Sequence, residues 1–140
     1  YSAFCGDKVC EKLFDLSTKN KLDLSCVRVF YASNKEELET YFNIYHKEYT
    51  YICSNKKYQN ENINTVSILD VVGKDYENVL MVIDTNYYYN KNKLASYDSS
   101  DNDYLNLKIL YQGLTRTRDN VVLVIYRNKK LFKELTNNLI

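Results

Sequence analysis

A chain of 140 residues with 45% hydrophobic and 26% charged side chains has the size and composition of one globular domain, which excludes a disordered segment and a complete two-domain motor. Its formal net charge of +1 excludes a global basic field, so any contact with nucleic acid must be local. No apolar run approaches the length of a membrane span and no signal-peptide pattern opens the sequence, so no membrane partner is expected.

The heavy use of tyrosine, lysine and asparagine, beside no tryptophan and no proline, reads as nucleotide bias and not as chemistry. Four cysteines (Cys5, Cys10, Cys26 and Cys53) show no Cys-x-x-Cys spacing and His46 is the only histidine, so no metal site is expected. Cys26 and Cys53 fall inside apolar strand patterns and read as buried thiols. Cys5 and Cys10 are near enough in sequence to pair, but no other feature of a disulfide scaffold accompanies them; a reducing cytoplasm fits best. The chain starts at Tyr1 and not at Met, which reads as a piece of a longer protein.

In chain order, Asp7 is placed to cap a helix with Val9, Leu13 and Leu16 on one face, ending near Lys19-Asn20, and residues 1–20 read as a linker helix. Cys26 to Tyr31 is a strand rich in β-branched and aromatic residues. Ser33 caps the next helix, with Glu36 completing a capping box and with Leu38, Tyr41, Phe42 and Tyr45 on its apolar stripe. A short strand from Tyr49 to Cys53 precedes a polar loop from Ser54 to Asn64. Two close strands follow, Thr65 to Leu69 and Val79 to Asp84, joined by the segment Asp70 to Asn78.

Thr85 to Asn102 is polar, tyrosine-rich and without period, and reads as a long surface excursion. Asp103 caps a helix with Leu107, Leu110, Tyr111 and Leu114 on one face. Val121 to Tyr126 is an almost fully apolar strand, and Asn128 caps a last helix that buries Leu131, Phe132 and Leu135. Alternating strands and helices, with strands that are continuously apolar, predict an α/β fold: a mostly parallel five-stranded sheet with helices on both faces. In such sheets the ligand crevice lies at the carboxyl ends of the strands.

The segment Leu110-Tyr111-Gln112-Gly113-Leu114-Thr115-Arg116-Thr117-Arg118 sets two arginines between a helix pattern and a strand pattern. Guanidinium is always charged, planar and able to grip phosphate oxygens in a fork; the bland alternative is a pair of solvated charges ending a helix. Because Arg116 and Arg118 precede a strand, they face a ligand only when it sits between this domain and another.

The segment resembles the last motif of superfamily 1 helicases, in which Tyr-x-x-Leu-Thr-Arg-x-Arg supplies an arginine to the γ-phosphate of a bound nucleotide. Leu69-Asp70-Val71-Val72-Gly73-Lys74-Asp75-Tyr76-Glu77-Asn78-Val79 stands where the family's fifth motif reads like His-Asp-Val-Ile-Gly-Gln-Glu-Phe-Asp-x-Val. The similarity covers Thr65 to Glu134 and is nearest to bacterial and phage ATPases of the DNA/RNA helicase domain type; Tyr1 to Asn64 matches only in the alternation of its elements.

The resemblance implies a RecA-like fold and the second, C-terminal motor domain. Arg116 would be the arginine finger, with Arg118 beside it at the phosphates or in a structural pair. Gly73 would let the backbone approach the nucleotide, and Asp75 stands where the family's glutamate contacts the ribose or relays the nucleotide state. Lys74, Tyr111 and Gln112 are the expected nucleic-acid contacts, and tyrosines of the 85–102 segment offer rings on which bases can stack. ATP and Mg²⁺ belong to the intact protein, shared with an N-terminal RecA-like domain of the same chain, and the polymer is single-stranded DNA or RNA.

Leu69, Lys74 and Asp75 depart from the family's histidine, glutamine and glutamate. The chain has no Gly-x-x-x-x-Gly-Lys-Ser/Thr loop and no strand ending in paired acids, so by itself it is not expected to hydrolyse ATP or bind it tightly. A degenerate, non-catalytic helicase-like module for regulation or assembly is the alternative. A self-contained hydrolase finds no Ser-His-Asp constellation here. The sharpest structural expectation is that strands 65–69 and 79–84 run parallel; an antiparallel hairpin would break the resemblance at its fifth motif.

Overall fold

A computed structural model describes residues 4–15, 24–53, 58–70, 73–97 and 103–139. Its centre is the apolar run Val121 to Ile125, in which every residue is buried because both faces of the strand are covered. In chain order the elements are α1 (Cys5–Leu13), β1 (Val27–Ala32), α2 (Lys35–Tyr45), β2 (Thr50–Cys53), β3 (Asn64–Ser67), a single 3₁₀ turn (Ile68–Asp70) and β4 (Tyr76–Ile83). They continue with β5 (Tyr87–Asn90), β6 (Lys93–Ser96), α3 (Asp103–Thr115), β7 (Thr117–Tyr126) and α4 (Lys129–Leu139).

Five strands form one sheet in the order β1-β7-β4-β2-β3, and every neighbouring pair is parallel. Val121 sits in register between Val27 of β1 and Val79 of β4, and Val79 is in turn opposite Thr50 of β2. The strands expected at 65–69 and 79–84 are therefore parallel, with β2 inserted between them.

Side chains alternate across the sheet as strand geometry demands. Val79, Met81 and Ile83 with Val121, Leu123 and Ile125 pack on one face, against α1, α3 and α4. Leu80, Val122 and Val124 pack on the other, against Leu38 and Phe42 of α2. The chain moves across the sheet in one direction over the α2 face (β1 to β2) and in the opposite direction over the α3 face (β4 to β7). Right-handed crossovers require that exchange of faces when the direction reverses. The result is an α/β fold of the RecA-like kind, with helices on both faces of a five-stranded parallel sheet.

Several local expectations are corrected. The opening helix buries Val9, Cys10 and Leu13 in the sheet's core, and Phe4, not Asp7, occupies its N-cap position. Leu16 and the helix end expected near Lys19-Asn20 lie outside the described residues. Cys5 is joined to Cys26 by a disulfide, with Cα atoms 6.1 Å apart, so Cys26 is not a free thiol. Cys10, five positions along the same helix, faces another way; it is a buried thiol, pushed up in pKa first by burial and then by Asp7. Cys53 is a half-buried thiol.

The cap of α2 is one residue later than expected. Asn34 accepts from the Glu37 amide at 2.9 Å, and the Glu37 carboxylate reaches back to the Ser33 hydroxyl at 2.7 Å and amide at 3.1 Å. Those bonds hold the Glu37 carboxyl below its ordinary pKa. The segment after β4 is not a structureless excursion: β5 and β6 form an antiparallel hairpin around Lys91 and Asn92, both in the left-handed region. Tyr87 and Leu94 of that hairpin are buried in the core. Asp98 to Asn102 lie outside the described residues. Among the described residues no helix is long and apolar enough to cross a membrane.

Candidate functional site

The two motif segments meet at the amino ends of β4 and β7. Arg116 is the one residue between α3 and β7, and its carbonyl accepts a 2.8 Å hydrogen bond from the Tyr76 amide at the start of β4. Gly73, Lys74 and Asp75 lead directly into that bonded position, so they lie at the same rim as Arg116. The turn is fixed by threonines on either side. The Thr115 hydroxyl donates to the Gln112 carbonyl at 3.2 Å, and the buried Thr117 hydroxyl to the Gly113 carbonyl at 3.5 Å, satisfying carbonyls that the end of α3 would leave open. Gly113 is itself closely covered, since a Cβ there would meet the Met81 side chain at 2.9 Å.

The two arginines differ in their surroundings. Arg118 lies on β7 and forms an exposed ion pair with Glu77 of β4 at 3.4 Å. The half-buried Arg116 has no carboxylate or hydrogen-bond partner for its guanidinium among the described residues. Gly73 adopts φ +79°, and a Cβ there would meet nothing within 4 Å. Its glycine is demanded by backbone conformation and leaves the main chain uncovered toward the rim. Lys74 and Asp75 are exposed. The side chain of Leu69, like Val71 and Val72, lies outside the described residues.

Tyr111 and Gln112 are exposed on the last turns of α3. Tyr111 is therefore not part of that helix's buried face, where Leu110 and Leu114 sit; its ring lies edge-on to Phe14 at 6.0 Å. The rim thus gathers Gly73, Lys74, Asp75, Arg116 and Arg118, with Tyr111 and Gln112 one turn away. Among the described residues it offers the unpaired Arg116 guanidinium, the exposed Lys74 and Asp75, and a bare stretch of backbone at Gly73. Among those same residues it offers no glycine-rich loop opening a helix in which a triphosphate could be held.

At the opposite, carboxyl ends of the strands lies a second polar cluster that sequence reasoning missed. The exit of β4 leads over the α3 face and that of β2 over the α2 face, so a crevice opens between them, as at the switch points of open α/β sheets. Asp84, only 6% exposed, closes β4 there. Its carboxylate accepts from the Tyr58 hydroxyl at 2.8 Å and from the Asn86 amide at 3.0 Å. Burial first, and then the bond to Asp84, push the Tyr58 phenol well above its ordinary pKa; burial does the same to Tyr51 alongside.

Asn128 joins this cluster to α4. Its amide nitrogen donates to the carbonyls of Asp84 at 3.1 Å and Tyr87 at 2.8 Å, while its oxygen accepts from the Leu131 amide at 3.2 Å. The cavity beside Asp84, about 60 Å³, admits a few waters and not a nucleotide. An acid, Asp84, closing the apolar run Val79 to Ile83 was the one signal of it in the sequence. Among the described residues, no group of three or more histidine, cysteine or acidic side chains converges to hold a metal ion.

No protein-family model matches the chain, and no curated protein matches it.

Proposed function

We propose that this chain is the second, C-terminal RecA-like domain of a superfamily 1 helicase or translocase, and that Arg116 is its arginine finger. The observation that carries the reading is the Tyr76–Arg116 hydrogen bond, which holds the fifth-motif segment beside a guanidinium without a partner among the described residues. ATP and Mg²⁺ would be held by the N-terminal RecA-like domain of the same protein, in a cleft that closes on this rim. On closure Arg116 would reach the γ-phosphate, Gly73 would bring bare backbone to the nucleotide, and Asp75 would accept from a ribose hydroxyl. Arg118 would lend its charge from its pairing with Glu77.

Residues present here fit that half of the site and not the other, because one free arginine stabilises developing phosphate charge but cannot position a triphosphate. Cycles of closure and opening would move the protein along single-stranded DNA or RNA, with Lys74, Tyr111 and Gln112 at the same rim as contacts. Such work belongs in the cytoplasm; the Cys5–Cys26 disulfide is the feature of the fold that departs from a reducing compartment.

The test is turnover in the intact protein. Arg116→Ala is expected to lower ATP hydrolysis by about 10³-fold or more without changing the melting temperature, and Arg116→Lys to recover little, since lysine lacks the fork. Normal hydrolysis by Arg116→Ala overturns the reading. The degenerate, non-catalytic module is favoured by Lys74 and Asp75, which stand where the family has glutamine and glutamate. An intact protein that hydrolyses no ATP, and gains none with Lys74→Gln and Asp75→Glu together, decides for that alternative.

A further inference from the structure

The β5–β6 hairpin and the first turns of α4 pack together beyond the carboxyl ends of β4 and β7, at the end of the sheet opposite Arg116. Two properties set this surface apart. The first is aromatic: Tyr97 is 67% exposed, and its ring lies 4.2 Å from that of Tyr88 at an interplanar angle of 32°. The Tyr97 amide donates to the Asn86 carbonyl at 2.7 Å, so the ring is carried on anchored backbone. A large apolar ring facing water on a fixed support loses little freedom when another flat ring settles on it.

The second property is charge. Residues 85–97 and 128–134 carry five exposed cations, Lys91, Lys93, Lys129, Lys130 and Lys133, against the single acid Glu134, while the Arg127 guanidinium lies over the Tyr126 ring on the other face. That is a surplus of four positive charges in a chain whose formal net charge is +1, so the remainder of the chain is net negative. Asp98 and Asp101, which follow in the sequence, lie outside the described residues. Between hairpin and helix runs a cleft of about 260 Å³, lined by Tyr88, Tyr97, Asn128, Lys130 and Glu134 among others, with room for one base and its sugar.

We infer that this hairpin–α4 surface is a binding site for single-stranded nucleic acid, with a base stacked on Tyr97 and with the lysines around it on the phosphates. Stacked aromatic rings beside a positively charged groove are the means by which single strands are held without a sequence code. A duplex hides its base faces and gains nothing from Tyr97, so the single strand is the occupant that uses both properties. The site lies at the rim opposite Lys74, Tyr111 and Gln112, singles out Tyr97 among the 85–102 tyrosines as the stacking ring, and is tested without ATP.

The measurement is fluorescence anisotropy of a labelled thymidine 12-mer titrated with the protein at low salt. Tyr97→Ala is expected to weaken binding by about 5- to 150-fold, the loss of one stacked base, and Tyr97→Phe to keep most of the affinity. Tyr97 is exposed, so neither change should disturb folding, and matched circular dichroism checks this. Lys130→Ala is expected to flatten the dependence of log K on log salt by about 0.7, one phosphate contact on a single strand. Heparin, which has charge but no bases, should bind with no dependence on Tyr97. Absence of oligonucleotide binding, binding indifferent to Tyr97→Ala, or equal sensitivity with heparin or with anionic lipid vesicles would each overturn the site. None of these outcomes bears on Arg116, whose role is read from hydrolysis.

Discussion

Gly6 of α1 lies against the main-chain carbonyl of Leu114 in the last turn of α3, so closely that a Cβ on Gly6 would overlap it. The two helices meet backbone to backbone at that point, and Leu114 stands two residues before Arg116. Gly6→Ala must therefore separate α1 from α3. It is expected to lower stability by about 1–3 kcal/mol, as overpacking does in a well-filled core, read as a reduced urea midpoint. On the function proposed above, the same change in the intact protein should also reduce ATP turnover, because it displaces the turn that carries Arg116. An unchanged midpoint would mean that the helices part at no cost.

Gly73 presents the opposite case, since nothing crowds it and only its φ of +79° demands glycine. Gly73→Ala is expected to lower stability by about 1–2 kcal/mol through the left-handed backbone alone, and Gly73→Asn by less. Equal losses for alanine and asparagine would point to a steric cause instead.

Tyr58 and Asp84 make stability depend on alkaline pH. The Tyr58 phenol has its pKa raised above an ordinary 10.0 in the fold, by burial and then by its bond to Asp84. The unfolded chain therefore releases this proton first. The associated stability is complete below about pH 10 and is lost as pH rises toward the folded-state value, at up to about 1.4 kcal/mol per pH unit. Tyr58→Phe should make that alkaline slope shallower without abolishing it, because Tyr51 is raised as well. At neutral pH the same variant leaves the buried Asp84 carboxylate short of a donor, at a cost of about 1–3 kcal/mol. Chemical denaturation across pH 7 to 11 separates the two effects, and parallel wild-type and mutant curves would exclude the alkaline one.

Asn128 is expected to resist a substitution that helix caps ordinarily accept. Aspartate and asparagine cap equally well, but here the Asn128 amide also donates to the carbonyls of Asp84 and Tyr87. Asn128→Asp keeps the cap and turns two attractions into repulsions between oxygens. It should be no more stable than Asn128→Ala in thermal denaturation; a near-wild-type melting temperature for the aspartate variant would show that those two bonds carry little.

The elements that the sequence made legible are those whose side chains were buried for their own sake. Val79 to Ile83 and Val121 to Ile125 announce strands because both faces of the sheet are covered, whereas Val27 to Tyr31, half-buried at the sheet's edge with Arg28 exposed, does so by its β-branched and aromatic content. The amino-terminal part of β7 does not. Arg118, Asp119 and Asn120 are exposed, and they are strand only because the backbone there pairs with Tyr76 and Asn78. The hairpin was hidden for a related reason: its turn at Lys91 and Asn92 is left-handed without glycine. Ser33 and Asn34 are both suitable caps, and the choice fell to where the Glu37 carboxylate could reach.

At the candidate site, both motif segments could be read, yet their adjacency depends on the Tyr76–Arg116 bond, which no spacing predicts. The Asp84 cluster draws on Tyr58, Asp84 and Asn128, three segments with no pattern in common. The Cys5–Cys26 bond likewise joins positions 21 apart that only the return of the chain at β1 brings together.

The position of β7 in the sheet has a consequence for how the protein comes to exist. The strand between β1 and β4 is the last of the sheet to leave the ribosome. Until Thr117 to Tyr126 has emerged, β1 has no neighbour, and β4, β2 and β3 present a bare apolar edge at Val79 to Ile83. Most of the chain must therefore be held unfinished through its own synthesis, with that edge open to other chains. A nascent chain stopped before β7 should aggregate or recruit a chaperone, whereas release of the complete chain closes the sheet in one late step that joins its two ends.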